Sequence, residues 1–458
     1  MDIGYNLAKY IYRTTYRDLP EEVIVATKKS ILDVLGVTIA AVNEPGCVEV
    51  ANLVQEWGGK EESTVIGYGY KVPAHNAVFV NGVMGRALDF DDIYAPCPSH
   101  VSIEVVPPAL AIAEKVGGIS GKDFITATAI GQDICCRFGK AIDVPCGLSG
   151  ISMTFHAGTF AAAVVAAKIL GFNEEKIIQT LGIAYSLISG NMQGTIEGSL
   201  LVRVQSGVSA QAGVLAAILA ERGITGTVET LEGKFGYFPI YQQGKYRRED
   251  LINDLGNKFE GVNLSFKQYP CCKATHMPIQ GTLDLLKEYN IKQDMIKEIK
   301  VATNTWVHNV VCQPLEFKRI PRNLIDAQFS IPYTLAVAVT NQSVKLSDFN
   351  AEAIKRKNVL DIAQKIVPII DGNIEHTHPH GFNVVIEIET KDGRNYSKAV
   401  NSLKGDPDNS LTWEEVTNKF NACLTYNRGH FDAEKLIQII GNLENIEDVR
   451  SIFDYLKS

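Results

Sequence analysis

Apolar positions recur along this chain with two different periods, and the change from one to the other divides it. Up to about residue 260, Ala, Ile, Leu and Val return every three or four residues, the spacing that lines one face of a helix. Residues 1–43 predict two helices, the second opening at Pro20-Glu21-Glu22, where acids favour the positive end of the helix dipole. Segments 75–90, 105–117, 121–138, 157–171, 174–193 and 207–223 predict further helices. Several of these are apolar nearly all round and are expected to pack inside other helices. Beyond residue 260 strict alternation takes over. IKEIKVAT at 296–303, NVVIEIET at 383–390 and NYSKAV at 395–400 predict strands, the last two joined by the turn KDGR. Helices over 275–289 and 326–340 accompany them, and the pattern is helical again from Trp413. The expected fold is mainly α: a large all-helical domain of residues 1–264 and 405–458, and a smaller α+β domain of residues 265–404.

Composition narrows the class. At 458 residues the chain exceeds the size at which one core keeps growing, which supports two domains. A net charge of −8 and the lack of a dense basic run argue against a nucleic-acid partner, because phosphate binding needs a basic face. The longest apolar runs, such as TFAAAVVAAKILG at 159–171, are interrupted by charge and predict no membrane span. The nine cysteines show no secreted disulfide framework, and the first residues are polar and charged, so a cytoplasmic setting is expected.

The chemistry concentrates in NGVMGRALDFDDIYAPCPSHVSIE at 81–104. Asp89, Asp91 and Asp92 stand in an otherwise apolar stretch, followed across a Pro-rich turn by His100. Buried acids are costly unless paired or used, and an acid beside an imidazole is the basic kit for moving protons at neutral pH. The alternative is a solvated loop around a helix cap. Four further segments gather polar groups. GISMTFHAGT places His156 at a helix start; LLVRVQSG places Arg203 and Gln205 before a buried helix; KQYPCCKATH offers Lys267, Lys273 and His276; DAQFSIPY ends in Tyr333, whose hydroxyl either packs with one hydrogen bond or serves as an acid. His376, His378 and His380 alternate in EHTHPHG and could face one way, but Pro379 and Gly381 favour a loop over a metal site. No phosphate-binding or dinucleotide fingerprint and no nucleophile elbow occurs.

Taken in order, ALDFDD with its following histidine, FHAGT, VQSGVSAQAGVLAAILAERGITG, LEGKFGYF, YPCCKATH, FSIPYTLAVAV and KGDPDNSLTWEEVTNKF resemble the MmgE/PrpD family over roughly residues 20–425. That family includes 2-methylcitrate dehydratases, cis-aconitate decarboxylases and an iminodisuccinate epimerase. The resemblance implies an all-helical domain with an α+β lid, a homodimer, and proton chemistry beside a carboxylate without cofactor or metal. It implies catalytic roles for Asp89, His100, His156 and Tyr333, and substrate binding by Lys273 and His276, with Arg86 and Arg203 joining them as cations. The chain departs from the family pattern at Ile93, where Thr is usual, at Val202, where Lys is usual, and at Arg86, where His is usual.

Removing a proton beside a carboxylate requires a positioned base and cations to hold the developing enolate-like charge. Asp89, His100 and His156 are candidates for base and acid; Arg86, Arg203 and Lys273 are candidates for the positive field. The expected function is a cofactor-free lyase of the 2-methylcitrate dehydratase type acting on a small di- or tricarboxylate. An epimerase or decarboxylase of a related polyacid is the alternative, and a metabolite-binding scaffold stands behind both.

Overall fold

The computed structural model describes residues 1–142, 150–377, 381–427, 429 and 431–456. His378 and His380 of the alternating histidine run lie outside the described residues.

The helical part is built from α1 (Ile3–Arg13), α2 (Glu21–Ala40), α3 (Cys47–Trp57), α4 (Ala74–Ala87), α5 (Val106–Val116), α6 (Gly121–Lys140), α7 (Met153–Ile169), α8 (Glu174–Leu187) and α9 (Leu201–Glu221). A two-stranded ribbon, β1 (Ser63–Thr64) and β2 (Lys71–Val72), lies between α3 and α4. Helices α7 and α9 are apolar enough to be covered on several sides. They pack along one another, and α9 also lies against α4 and α8. Close approach of α9 and α4 needs glycine. A Cβ on Gly207 would fall 2.3 Å from the Phe79 carbonyl oxygen. By length and hydropathy alone α9 could cross a membrane, yet 56% of that apolar window is buried inside the protein. The sequence pattern starts this helix at 207. The structure extends it back to Leu201, carrying Val202 and Arg203 towards the second domain.

The smaller part holds α10 (His276–Glu288), α11 (Ile331–Asn341) and a four-stranded sheet of β3 (Ile296–Thr303), β4 (Ile366–Ile370), β5 (Val384–Thr390) and β6 (Asn395–Val400). Strand order is β4-β3-β5-β6; β3 runs parallel to β4 and antiparallel to β5, and β5 and β6 form the hairpin. The sequence pattern shows no signal for β4. IVPII neither alternates nor reaches helical length, and Pro368 removes a ladder donor, which suits an edge strand. The predicted helix 326–340 is split in two. Ser330 accepts from the Tyr333 N–H as an N-cap, with Pro332 in the first turn, and so starts α11 afresh.

The chain then returns through α12 (Trp413–Asn427) and α13 (Ala433–Gly441) to pack on α2. One apolar core runs from Ile3 to Phe266 and again from Leu411 to Leu456, joined by Leu346. A second runs from Cys271 to Leu403 and takes in Val202 of α9. The acid-rich stretch after α4 lies where the two cores meet.

Candidate active site

Helix α4 ends at Ala87, and Asp89 follows with φ of +50°, a left-handed conformation that aspartate tolerates better than most residues. This turn sends the chain back, and Ile93 then pairs with Ser265 through two backbone hydrogen bonds of 3.0 and 2.8 Å. That bridge ties the acid-bearing loop to the segment carrying Lys267. Lys267 Nζ donates to the Asp89 carbonyl at 2.8 Å and to Asp89 Oδ1 at 2.7 Å. Arg86 Nη1 donates to the same Oδ1 at 2.6 Å. Burial alone would raise the Asp89 carboxyl, but Arg86 and Lys267 outweigh it and hold it well below its ordinary value.

The turn at Asp89 brings the next acid but one, Asp91, to the same histidine. Asp91 Oδ2 accepts from His100 Nδ1 at 2.6 Å, and His100 Nε2 lies 3.7 Å from Asp89 Oδ1. His100, Arg86 and Lys267 hold Asp91 below the usual carboxylate range against its burial. An ionised Asp91 requires Nδ1 to carry the ring proton, leaving Nε2 with its lone pair. Burial and Arg86 push the imidazole below its ordinary value, more than Asp91 restores, so the ring is neutral at pH 7. The His100 backbone N–H is pinned on Thr154 Oγ1 at 3.0 Å. Asp92 faces the other way and accepts from the Ser102 N–H at 3.0 Å and from the Ser102 hydroxyl, which itself accepts from Gln132. Burial raises Asp92 to about 7.

The structure therefore brings Arg86, Asp89 and His100 together, and adds Asp91 and Lys267. His276 lies within electrostatic reach of Asp89 and Lys267, and Nε2 of its ring sits 3.1 Å from the Cys271 carbonyl oxygen. Lys273, close enough to lower the His276 imidazole further, is paired with Asp406 at 2.5 Å. Arg203 is 1% exposed, donates Nη1 to the Pro45 carbonyl at 2.6 Å and feels the charges of Arg86 and Asp89. Four buried atoms here, Arg86 Nε, Asp89 Oδ2, Asp91 Oδ1 and Arg203 Nε, have no hydrogen-bond partner among the described residues.

Two of the sequence-derived residues have partners of their own. His156 occupies an aromatic cage, its Nδ1 3.4 Å from the Tyr237 hydroxyl and its ring edge-on to Tyr241. Burial lowers its imidazole to about 4. Two residues before it, Thr154 holds the His100 backbone, which ties the start of α7 to the acid-bearing loop. Tyr333 is fully buried in the small-domain core, donating its hydroxyl to the Asp348 carbonyl at 2.7 Å and meeting Phe349 edge-on.

Asp89, Asp91 and His100 offer ligand atoms within 4.8 Å of one another, a spacing a metal ion could span. A cation placed there would sit against Arg86 and Lys267, both already bound to Asp89. The positive charge is built into the protein.

Lys267 is visible in the sequence only as one cation among several, and nothing in its neighbourhood points to Asp89, 178 positions earlier. Asp91 had a usable signal: it stands in the DFDD run and precedes a histidine by nine residues.

The sequence model of the MmgE/PrpD N-terminal domain matches residues 5–249, and that of the C-terminal domain matches residues 269–445. A cis-aconitate decarboxylase of Aspergillus terreus is 25% identical over 96% of this chain and 92% of its own length. Those of Mus musculus and Homo sapiens are 25% and 24% identical over 99% of this chain and 93% and 94% of theirs. With both domain models matched in order across a helical domain and a small sheet domain, this chain is a mainly α-helical enzyme of the MmgE/PrpD family.

Proposed function

We propose that the chain is a lyase that moves a proton at a carbon beside a carboxylate in a small di- or tricarboxylate. The observation that carries this reading is the Asp91–His100 pair at 2.6 Å, with a neutral ring set against the Arg86–Asp89–Lys267 cluster. Asp91 orients the imidazole, and His100 Nε2 takes the proton. Arg86 and Arg203 supply cationic N–H groups for the substrate carboxylates and for the enolate-like charge that forms as the proton leaves. In a dehydration the electron pair of the broken C–H bond expels a hydroxyl, which departs as water once protonated; in a decarboxylation no C–H bond breaks first, the carboxylate departs as CO2 and its electron pair stays on carbon until a solvent-derived proton takes it up. The sequence pattern places dehydration first. The names of the relatives favour decarboxylation, and cis-aconitate is the first substrate to try. Incubation with a panel of di- and tricarboxylates in deuterated water, read by mass spectrometry, tests the proposal. Deuterium uptake beside a carboxylate, with release of CO2 or a change in water content, is the expected result. No exchange and no product with any member of the panel would remove it.

Two further outcomes follow from the same geometry. Arg203→Lys should raise KM about tenfold while leaving kcat within a few-fold, because the planar fork grips a carboxylate in ground and transition states alike. Steady-state kinetics separate the two constants, and a fall confined to kcat would assign Arg203 to the transition state instead. Dialysis against a strong chelator should leave turnover intact. Activity lost on chelation and restored by Zn²⁺ would move the chemistry to a metal.

We further propose that two copies associate through α9 and its surroundings, where Trp57 stacks on Phe79 and Ile196 and Leu201 are exposed. Light scattering should report twice the 50.2 kDa chain mass, and a monomer at micromolar concentration would refute this.

A further inference from the structure

A cavity of about 650 Å³ opens behind the acid-bearing loop, on the side facing α12. Its walls come from Phe90 at the loop, Lys267 and Pro270 on the segment entering the small domain, residues 344–347, and the face of α12. This volume suits a small organic ligand, and such sites favour places where domains meet. Arg86, Asp91 and His100 are not among its lining residues.

The polar groups of this wall are not ordinary surface charges. Lys419 of α12 is 9% exposed; its Nζ donates to the Phe90 carbonyl at 2.6 Å, lies 4.0 Å over the Phe90 ring, and pairs with buried Asp33 at 2.7 Å. Lys267 is fully buried and holds the Asp89 carbonyl and carboxylate from the same side of the loop. Two consecutive carbonyls, 89 and 90, are thus gripped by lysines of this wall, Lys267 from beneath it and Lys419 at its surface. Phe90 sits between the two acids that flank His100, so whatever shifts these lysines shifts Asp89 and Asp91. Exposed Lys345 adds a third cation at the rim, while the single acid of the wall, Glu415, is paired with Lys404 at 3.0 Å. Between the cations the wall is apolar, with Phe90, Leu346, Leu411 and Tyr426.

We infer that this cavity is a second ligand site, for a small organic carboxylate with an apolar body, and that its occupancy is transmitted to the catalytic loop through Lys419. A carboxylate would meet Lys345 at the rim and the N–H of Lys419 that Phe90 and Asp33 leave over, and its hydrocarbon portion would cover Leu346 and Leu411. Binding there draws Lys419 from the Phe90 carbonyl and loosens the alignment of Asp89 and Asp91 on either side of it. Turnover therefore falls without competition for the substrate.

Hexanoate is the probe, with hexanamide as its uncharged counterpart, measured by titration calorimetry on the full chain. Ala422→Trp fills the cavity from the exposed face of α12, and Lys345→Ala removes the rim charge; neither residue belongs to the catalytic cluster. Saturable hexanoate binding is expected, at least tenfold tighter than hexanamide, weakened severalfold by Lys345→Ala and abolished by Ala422→Trp. Where proton exchange is measurable, hexanoate should lower kcat severalfold without changing KM, and Ala422→Trp should be insensitive to it. Equal binding of hexanamide, or hexanoate binding that survives Ala422→Trp, would overturn the inference. So would purely competitive inhibition, which would assign the cavity to the substrate itself. The calorimetric arms need no turnover, so they decide this site even if no polycarboxylate proves to be a substrate.

Discussion

Replacing His100 with asparagine should lower kcat for α-proton exchange by at least about two orders of magnitude, the usual scale for a positioned acid or base, while leaving thermal stability nearly unchanged. The asparagine amide nitrogen can reach where Nδ1 now meets Asp91 at 2.6 Å, so the buried carboxylate keeps a partner and only Nε2 is lost. The pH dependence carries a second sign. Burial and Arg86 hold the imidazole below its ordinary value, so the active neutral form persists as pH falls past about 6.5, the value of an unperturbed histidine. The acid limb of kcat/KM should lie below that pH and vanish in the residual activity of the asparagine variant. Stability has the matching dependence. Between the native and unfolded values the unfolded chain binds a proton the native ring refuses, so the contribution of His100 is lost as pH falls through that window. Unchanged kcat in His100→Asn would remove the proposed base, and an acid limb above 6.5 would contradict the neutral ring.

Replacing Lys267 with methionine should damage both activity and stability. The side chain has no exposed area, and its ammonium makes two of the contacts that fix Asp89 in its left-handed turn. Breaking a buried ion pair from one side leaves the other charge uncompensated, at a cost of about 3 kcal/mol or more. Arg86 remains on Oδ1, which places the expected loss at the low end of that scale. Denaturant unfolding should show this loss, together with a fall in exchange of about two orders of magnitude as Asp89 leaves its place beside His100. The pH profile of stability separates this pair from the histidine. Asp89 is held well below its ordinary value, so its contribution is present above about pH 4 and is lost only as pH falls further. Removing Lys267 should shift acid unfolding upward. A variant as stable as the parent, with an unchanged acid transition, would mean that the Lys267–Asp89 pair contributes little.

The two variants divide the site by what each residue does. His100 is held from outside, by Asp91 on one nitrogen and Thr154 on its backbone, so its own removal disturbs little else. Lys267 is itself a support, reaching across from the second segment to the loop. Lys419 does the same from a third segment, 329 positions from the carbonyl it binds. The chemistry is presented by one short stretch, and its geometry is held by residues drawn from the whole chain.

Local physics in the sequence was enough to show most of the framework. Helical periodicity in Ala-rich runs and alternation in 296–303 and 383–390 depend only on neighbouring residues, and the structure places α4 to α9, β3, β5 and β6 at these positions. The charged stretch 86–100 stood out because acids amid apolar residues are costly, and Arg86, Asp89 and His100 do meet there. Strand β4 left no pattern, because its backbone is specified by the β3 edge it joins rather than by alternation. Polar residues at His156 and Tyr333 carried the same local signal as His100. Only packing shows what each meets: Tyr237 and Tyr241 enclose one and the Asp348 carbonyl accepts from the other. The pairing of Asp91 rather than Asp89 with the imidazole, and the grip of Lys267 and Lys419 on the loop, were decided by tertiary structure alone. A short-range pattern records which face a residue occupies. Which charge meets which across 178 or 329 positions depends on how two separately built cores come together.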